Sequence, residues 1–248
     1  MTLEQFFAEN REVAIAFSGG VDSAYLLYAA TRYAARVKAY YVSTAFQPEF
    51  ELEDARRLAD ELGADMLVLH VDVLSNSAVT ANPSDRCYHC KNTLFRQILR
   101  AAENDGFPVL LDGTNASDDA GDRPGMRALR ELSVRSPLRE CGLTKAEIRR
   151  LSKEAGLFTW DKPAYACLST RIRTGEEITL QKLKQTEKAE GFLFGLGFRD
   201  FRVRMVDNTA KLELRETDLP LLLENREKIV TELRKDYDSV LLNLEVRK

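Results

Sequence analysis

The chain has 248 residues, of which 44% are hydrophobic and 30% charged, and this composition is typical of a soluble globular protein. Its 36 basic and 39 acidic residues give a net charge of −3, so it has no overall positive field for nucleic acid. No apolar run approaches the ~20 residues of a membrane helix, and the polar start of the chain is unlike a signal peptide. We therefore expect a cytoplasmic protein that does not bind membranes, and binding of nucleic acid would need a local basic patch.

Strands and helices alternate along the N-terminal part of the chain. Apolar and β-branched segments predict strands at residues 12–17, 37–44, 65–73 and 108–113, and a short extended segment at 133–138. Apolar residues at helical spacing predict helices at 21–35, 49–62, 85–102 and 144–155. This alternation is typical of an α/β fold with a doubly wound, mostly parallel sheet covered by helices on both faces.

The pattern changes after residues 161–177, which have no clear periodicity and are predicted to form a loop. Beyond them we predict helices at 179–196 and 218–235, and strands at 201–206, 210–214 and 239–246. The polar pair Asp207-Asn208 indicates a hairpin between the first two of these strands. The sequence therefore predicts a sheet domain at residues 1–177 and a small α+β domain at residues 178–248.

A glycine-rich loop, Ser18-Gly19-Gly20-Val21-Asp22-Ser23, separates the first predicted strand from the first predicted helix. The glycines let the backbone approach a ligand, the first N–H groups of the helix favour an anion, and the serines add hydroxyl donors. Asp22 can hold a magnesium ion beside that anion. The spacing fits neither the Walker A nor the dinucleotide motif, but it resembles the PP-loop, which implies binding of the pyrophosphate of ATP. The alternative is an ordinary strand–turn–helix corner.

Polar residues also stand where other strands of the predicted sheet end. Ligands of open α/β sheets bind beyond the carboxyl ends of the strands. Those ends are Ser18, Ser43 with Thr44, and Asp112 with Gly113. We expect Ser43 and Gly113 to contribute to the nucleotide site, and the alternative for Ser43 is a solvated strand end.

Four cysteines are present, and a Cys-x-x-Cys pair in a cytosolic chain of this size indicates metal or redox chemistry more often than a disulfide. Cys87 and Cys90 are spaced to share one face of a helix start, where the helix dipole and Lys91 favour thiolates. Two cysteines do not complete a metal site, so Cys167 is a candidate third ligand of an iron–sulfur cluster. The alternatives are zinc with His89 as fourth ligand, or cysteines with no metal.

Two further segments carry charged residues in positions suited to ligands. In the loop 113–125, the acidic residues Asp118, Asp119 and Asp122 could bind a cation or orient a nucleophile, and Arg123 could clamp a phosphate. Arg171 and Arg173 are two apart, so in an extended segment they would share a face and could bind a phosphate together. The alternatives are a solvated loop and surface salt bridges.

Taken together, these motifs resemble the LarE-type ATP-dependent sulfur transferases, a branch of the PP-loop superfamily. The matching pieces span the N-terminal part of the chain in order. They are Ser18–Ser23, Cys87-Tyr88-His89-Cys90-Lys91, Asp112-Gly113-Thr114-Asn115, Asp122-Arg123-Pro124-Gly125, Ser136-Pro137-Leu138 and Ala166-Cys167-Leu168-Ser169-Thr170-Arg171. The chain departs from the family at Arg173-Thr174-Gly175, where Pro-Tyr-Gly is usual. The C-terminal segment fits more loosely, and Arg202 and Arg204 are its candidates for phosphate binding.

The resemblance implies that the chain uses ATP to adenylate a carboxylate of a pyridinium dicarboxylate mononucleotide. Sulfur then displaces AMP, on the route to a nickel-pincer cofactor. Some members sacrifice a single cysteine, the one in the Cys167 region, whereas others have three cysteines that hold a [4Fe–4S] cluster and relay sulfide. With Cys87, Cys90 and Cys167, this chain resembles the cluster type. The implied catalytic residues are these three cysteines with Asp22 and Lys91, and Ser18, Gly19, Gly20, Ser23, Ser43, Gly113, Arg123 and Arg171 are the implied nucleotide contacts. A sulfur donor and a homo-oligomeric assembly are expected.

Three rival functions share some of these features. A tRNA thiolase would use the same loop and a similar cluster, but the acidic net charge argues against it. An ammonia-using synthetase would leave the three cysteines unexplained. A nucleotide-binding regulator would bind ATP tightly without releasing pyrophosphate.

Overall fold

The computed structural model describes residues 1–118 and 124–245. Its helices are α1 (Leu3–Glu9), α2 (Val21–Tyr33), α3 (Glu49–Glu61), α4 (Ser77–Thr80), α5 (Arg86–Asn104), α6 (Pro124–Glu131), α7 (Pro137–Glu140), α8 (Lys145–Glu154), α9 (Leu180–Gly195), α10 (Leu219–Glu224) and α11 (Arg226–Leu233). Its strands are β1 (Glu12–Phe17), β2 (Arg36–Ser43), β3 (Met66–His70), β4 (Leu110–Leu111), β5 (Arg202–Val206), β6 (Thr209–Glu213) and β7 (Ser239–Leu242). Short 3₁₀ turns occur at Phe158–Asp161, Leu168–Arg171 and Glu216–Asp218.

The chain divides into two compact units. The first contains residues 1–73 and 85–164, and the second contains residues 74–84 and 165–248. The second unit therefore includes a segment from the middle of the predicted sheet domain and the loop that carries Cys167. The predicted domains, residues 1–177 and 178–248, are parts of the chain expected to fold independently. The boundary between them stays a prediction.

The first unit is built on a four-stranded sheet in the order β3-β2-β1-β4, with every pair parallel. Side chains of β1 alternate between its two faces: Val13, Ile15 and Phe17 join one hydrophobic cluster, and Ala14 joins the other. Helices α1, α2, α3 and α8 contribute to the first cluster, and α5 contributes to the second. Helices therefore cover both faces, which confirms the predicted doubly wound α/β fold.

Several elements of the first unit differ from the prediction. The strand predicted at 108–113 is reduced to Leu110–Leu111, and the segment at 133–138 makes only a bridge from Arg135 to Leu111. Helix α1 was not predicted, although Thr2 and Gln5 form a complete capping box at its start. At the start of α8, Thr144 accepts from the Glu147 N–H, but the Glu147 carboxylate pairs with Arg150, so only half of a capping box forms.

The second unit is a small α+β arrangement around a three-stranded sheet in the order β5-β6-β7. β5 and β6 form the predicted antiparallel hairpin, and Asp207 takes a positive φ of 50° in its turn. β7 then pairs parallel with β6. The helix predicted at 218–235 is divided into α10 and α11 at Asn225, and the last strand ends at Leu242.

Candidate active site

The loop between β1 and α2 forms a compact turn in which the two serines hold each other. The Ser18 and Ser23 hydroxyl oxygens are 3.0 Å apart, and the Ser23 hydroxyl also donates to the Gly20 carbonyl at 3.1 Å. The first intrahelical bond of α2 is made by the Ala24 N–H to Gly20. The N–H groups before it therefore have no intrahelical acceptor and lie at the positive end of the helix, which suits a phosphate.

Glycine is required at two positions around this loop. Gly19 has a φ of +71°, and a Cβ there would also lie 3.2–3.3 Å from atoms of Ala55 on α3. Gly113, just after β4, lies against the start of α2, so that a Cβ there would be 2.9 Å from the Ser23 backbone nitrogen. The structure therefore brings the predicted contacts Gly113, Ser18 and Ser23 together at one end of the sheet.

We expect the substitution Gly113→Ala to push the loop away from α2. Overpacking of this kind destabilises a protein by about 1–3 kcal/mol, and the displaced loop should bind ATP more weakly. Thermal unfolding and calorimetric titration with ATP measure the two effects. The control is Gly191→Ala inside α9, where nothing lies within 4 Å of the added Cβ and helix propensity predicts a gain of up to about 1 kcal/mol. Wild-type ATP affinity in Gly113→Ala would contradict the assignment of Gly113 to the nucleotide site.

Asp22, in the first turn of α2, has a partner on each carboxylate oxygen. The Asn115 side-chain amide donates to Oδ1 at 3.2 Å, and the Lys145 ammonium pairs with Oδ2. Asn115 is itself held by the turn 115–118, where Ser117 and Asp118 bond with it, and the Lys145 N–H donates to the Ser117 hydroxyl. Three chain segments therefore meet at the Asp22 carboxylate, which is only 22% exposed.

Lys145 is the site residue that sequence reasoning missed. In the sequence it is marked only as a residue near the start of the helix predicted at 144–155. Its approach to Asp22 depends on the packing of α8 beside α2, two helices that share the hydrophobic cluster of Leu26, Leu27 and Ile148. No local pattern in the sequence carries that information.

Asp112 holds the segment that follows β4 to two neighbouring hydroxyl groups. It is 6% exposed, and its carboxylate accepts from the Thr114 and Ser136 hydroxyls. The predicted motifs that begin at Asp112 and at Ser136 are therefore neighbours in the fold. Ser43 ends β2 at the same edge of the parallel sheet and is half-buried, with its carbonyl accepting the Val71 N–H at 3.0 Å. Nucleotide binding by Ser43 stays a prediction.

Cys87 and Cys90 lie near the start of α5, as predicted, with Cys87 exposed and Cys90 half-buried. Lys91 follows on the same helix and packs on α6, since a Cβ at Gly125 would be 3.2 Å from two of its side-chain carbons. The Tyr88 hydroxyl donates to Glu131 of α6 at 2.7 Å. The Cys-x-x-Cys-Lys helix start is thus fixed against the helix that follows Arg123.

His89 does not join the two cysteines in this structure. Its Nε2 atom lies 3.4 Å from the Asp85 carboxylate, one turn back along the chain. Within residues 1–118 and 124–245, no three His, Cys, Asp or Glu side chains are grouped as metal ligands. Cys87 and Cys90 belong to the first unit and Cys167 to the second. The three-cysteine cluster is therefore a proposal and is taken up below.

Cys167 starts the 3₁₀ turn Leu168–Arg171, and its sulfur lies 3.1 Å from the Ser169 hydroxyl. Arg171 is fully buried and pairs with Glu190, whereas Arg173 is exposed. The prediction that the two arginines share a face of an extended segment is wrong, because the turn rotates their side chains apart. A phosphate contact by Arg171 stays a prediction, and the buried pair does not favour it.

The remaining predicted site residues either bond to neighbouring residues or lie outside the described part of the chain. Arg202 donates to the Phe201 carbonyl, and Arg204 donates to Glu213 and to the Thr170 carbonyl. Asp118 accepts the Asn115 N–H. Three predicted residues of the charged loop lie outside the described residues: Asp119, Asp122 and Arg123. In the part of the chain that the structure describes, no helix has the length and hydrophobicity to cross a membrane.

The parallel sheet and the loop that closes on the start of α2 define a PP-loop enzyme, the class that cleaves ATP at the α-phosphate. Comparison with known proteins agrees: the asparagine synthase family matches residues 4–118. A pyridinium-3,5-bisthiocarboxylic acid mononucleotide synthase of Lactiplantibacillus plantarum is 34% identical over 217 residues, which cover 87% of this chain and 79% of that protein. The chain belongs to the LarE family of ATP-dependent sulfur transferases.

Two other relatives are similar to this chain, one with higher and one with lower identity than the Lactiplantibacillus protein. An uncharacterized protein of Synechocystis is 41% identical over 215 residues, or 86% of this chain and 80% of that protein. A tRNA-specific 2-thiouridylase of Thermotoga maritima is 26% identical over 192 residues, or 59% of this chain and 52% of that enzyme. The predicted family and the predicted class, an ATP-dependent sulfurtransferase, are confirmed.

Proposed function

We propose that this enzyme activates the carboxylates of a pyridinium dicarboxylate mononucleotide with ATP and replaces the AMP by sulfur, in the synthesis of a nickel-pincer cofactor. The Lactiplantibacillus relative is a pyridinium-3,5-bisthiocarboxylic acid mononucleotide synthase, which supports this substrate. The observation that carries the proposal is the arrangement of Asp22, Asn115 and Lys145 beside the loop Ser18–Ser23. In this arrangement a carboxylate and an ammonium lie next to a helix start whose first N–H groups suit an anion.

The loop binds the triphosphate in this proposal. Hydrogen bonds to the phosphate oxygens come from the N–H groups at the start of α2 and from the Ser18 and Ser23 hydroxyls. These bonds become stronger as negative charge develops on the departing pyrophosphate. The Asp22 carboxylate suits Mg²⁺, which prefers oxygen ligands and, when bound, neutralises phosphate charge. Because Lys145 occupies one oxygen of Asp22, a metal at this carboxylate would release the ammonium toward the phosphates.

The reaction has two displacement steps. An oxygen of the substrate carboxylate attacks the α-phosphorus of ATP, and pyrophosphate leaves with the electron pair of the broken P–O bond. The product is an acyl adenylate. A sulfur nucleophile then attacks the activated carbonyl carbon, and AMP leaves as the better leaving group. Lys91 follows Cys87 and Cys90 on the same helix and packs against Gly125, and its positive charge is the one that would stabilise a thiolate or sulfide.

We further propose that Cys87, Cys90 and Cys167 hold a [4Fe–4S] cluster. Soft thiolates are the ligands such a cluster takes, and the two thiols near the start of α5 are reachable from solvent. When bound, the cluster supplies an iron site for a sulfide from an external donor. The Asp85–His89 contact favours this proposal over zinc because it engages the histidine elsewhere.

We expect Lys145 to neutralise the charge of Asp22 when no Mg²⁺ is bound. In Lys145→Met the unbalanced carboxylate should repel the triphosphate and weaken ATP binding without Mg²⁺ about tenfold, with a smaller effect at saturating Mg²⁺. Calorimetric titration with and without Mg²⁺ measures this difference. The matched control is Lys38→Met, which removes the lysine of another aspartate pair, with Asp105. Equal effects of the two substitutions would contradict the role of Lys145.

The decisive experiment is anaerobic mass spectrometry of the whole protein with ATP, sulfide and the pyridinium dicarboxylate mononucleotide. We expect AMP, pyrophosphate and a substrate in which sulfur replaces carboxylate oxygen. ATP consumption with tRNA thiolation, and none of the mononucleotide product, would overturn the substrate and support the tRNA alternative suggested by the Thermotoga relative. Tight ATP binding with no pyrophosphate in any mixture would overturn the enzymatic proposal.

A further inference from the structure

A buried carboxylate in the second unit accepts an unusual number of hydrogen bonds. Glu190 of α9 is 1% exposed. Its carboxylate accepts from Arg171 Nε at 2.8 Å and Nη2 at 3.0 Å, from the Val203 N–H at 2.9 Å, and from the Tyr165 hydroxyl. Burial, with the Glu190 charge beside it, raises the pKa of Tyr165, so the hydroxyl keeps the proton that it donates. Glu190 is therefore fixed from three sides.

Arg171 connects this carboxylate to the turn that carries Cys167. While Nε and Nη2 face Glu190, Nη1 donates to the Ala166 carbonyl and to the Thr170 hydroxyl, each at 2.8 Å. The Thr170 hydroxyl and N–H donate in turn to the Cys167 carbonyl, at 2.8 and 3.0 Å. The guanidinium thus holds the chain on both sides of the cysteine, and its fork geometry suits these simultaneous contacts.

An ion pair is not needed here for stability alone. Replacing a buried pair by apolar residues of similar volume is often neutral or stabilising. An apolar residue at position 171 would, however, donate nothing to the Ala166 carbonyl or the Thr170 hydroxyl. The specific consequence of the pair is therefore the fixed path of residues 166–170, and with it the direction of the Cys167 sulfur toward Ser169.

We infer that Glu190 is a positioning residue for Cys167, acting through Arg171. The positioning is a property of the second unit, and its importance for sulfur transfer rests on the proposed function. In this assignment Arg171 orders the cysteine turn. A cysteine held in this way keeps its sulfur in one orientation, which lowers the cost of ordering it during the reaction.

The test separates positioning from stability. Glu190→Gln alone leaves the Arg171 cation buried without its counter-charge, which is strongly destabilising. The double variant Arg171→Met/Glu190→Gln removes both charges, and the new amide oxygen can still accept the Val203 N–H, but nothing then reaches the Ala166 carbonyl. Arg171→Lys is the second variant, because it keeps the charge while a single ammonium cannot make the same set of contacts. Tyr165→Phe, which removes one bond to Glu190 and leaves the arginine in place, is the control.

The readout is the rate at which iodoacetamide alkylates each cysteine in the native whole protein, followed by peptide mass spectrometry. In the double variant and in Arg171→Lys, we expect Cys167 to react about tenfold faster, since bonds from a charged donor hold its turn. Cys141, which lies in the other unit and is not a proposed cluster ligand, is the internal reference and should change less than about twofold. Tyr165→Phe should resemble the wild type.

Activity gives a second, independent readout. Thiolated product should fall in the double variant and stay near the wild-type level in Tyr165→Phe. An unchanged Cys167 alkylation rate in folded double variant or folded Arg171→Lys would overturn the inference, whatever the activity shows. If the wild type yields no thiolated product, the proposed function fails, and the alkylation rates still decide whether Glu190 positions Cys167.

Discussion

Asp22→Ala is expected to abolish release of pyrophosphate from ATP while the fold survives. The carboxylate lies at the start of α2 beside the phosphate-binding loop, and it is the proposed ligand of Mg²⁺. Without it the charge on the leaving pyrophosphate is poorly balanced, and losses of about a thousandfold accompany the removal of such groups. A coupled pyrophosphate assay with saturating ATP and Mg²⁺ measures the rate, and circular dichroism checks the fold.

Asp105→Ala is the matched control for this prediction. Asp105 also pairs with a lysine, Lys38, at 2.9 Å, and accepts from the Tyr40 hydroxyl at 2.7 Å. These bonds, above all that from Lys38, lower the pKa of Asp105. It follows the C-terminus of α5 and has no part in the loop, so its removal should leave pyrophosphate release near the wild-type rate. A wild-type rate in Asp22→Ala would refute the assignment of the loop.

Cys167→Ser is expected to stop sulfur transfer without stopping adenylation. A serine hydroxyl is a poor ligand for iron and a poor sulfur carrier, so thiolated product should fall by about a hundredfold or more. Anaerobic reconstitution should also load less iron and sulfide than in the wild type, and the electron paramagnetic resonance signal of the reduced cluster should be lost. Pyrophosphate release, which depends on the loop in the other unit, should continue.

Cys141→Ser provides the comparison. Cys141 is half-buried after α7, and burial raises the pKa of its thiol, which makes it a poor thiolate. Its replacement should leave product formation and iron content unchanged. Wild-type product from Cys167→Ser would remove this cysteine from the mechanism. A wild-type protein that takes up no iron on reconstitution would remove the cluster from the mechanism.

The sheet of the first unit was predictable because its strands are short runs rich in apolar residues, and most residues of β1 are buried. The strand predicted at 12–17 has the bounds of β1, and the prediction for β2 differs by one residue at each end. The strand at 108–113 was overestimated because only Leu110 and Leu111 pair with β1. Apolar character indicates burial, whereas strand length depends on how far a neighbour runs alongside.

The candidate site likewise has local features that the sequence predicts and long-range contacts that it does not. The turn Ser18–Ser23 is held by bonds between residues five apart or fewer, so its motif could be recognised from sequence. The pairing of Asp22 with Lys145 joins residues 123 positions apart, and no sequence pattern marks it. The arginine prediction failed for a local reason: Arg171 and Arg173 were assigned to an extended segment, but Leu168–Arg171 is a 3₁₀ turn.

The sequence by itself determined the chemistry that the chain can offer: a glycine-rich anion loop, a carboxylate beside it, and thiols near a helix start. These follow from residue type and short spacing, which fix local backbone geometry. Only the tertiary structure decided which groups meet, such as Gly113 against Ser23 and Glu190 against Arg171. Those contacts depend on how helices and strands distant in sequence pack together, and packing is governed by the shape and burial of the whole unit.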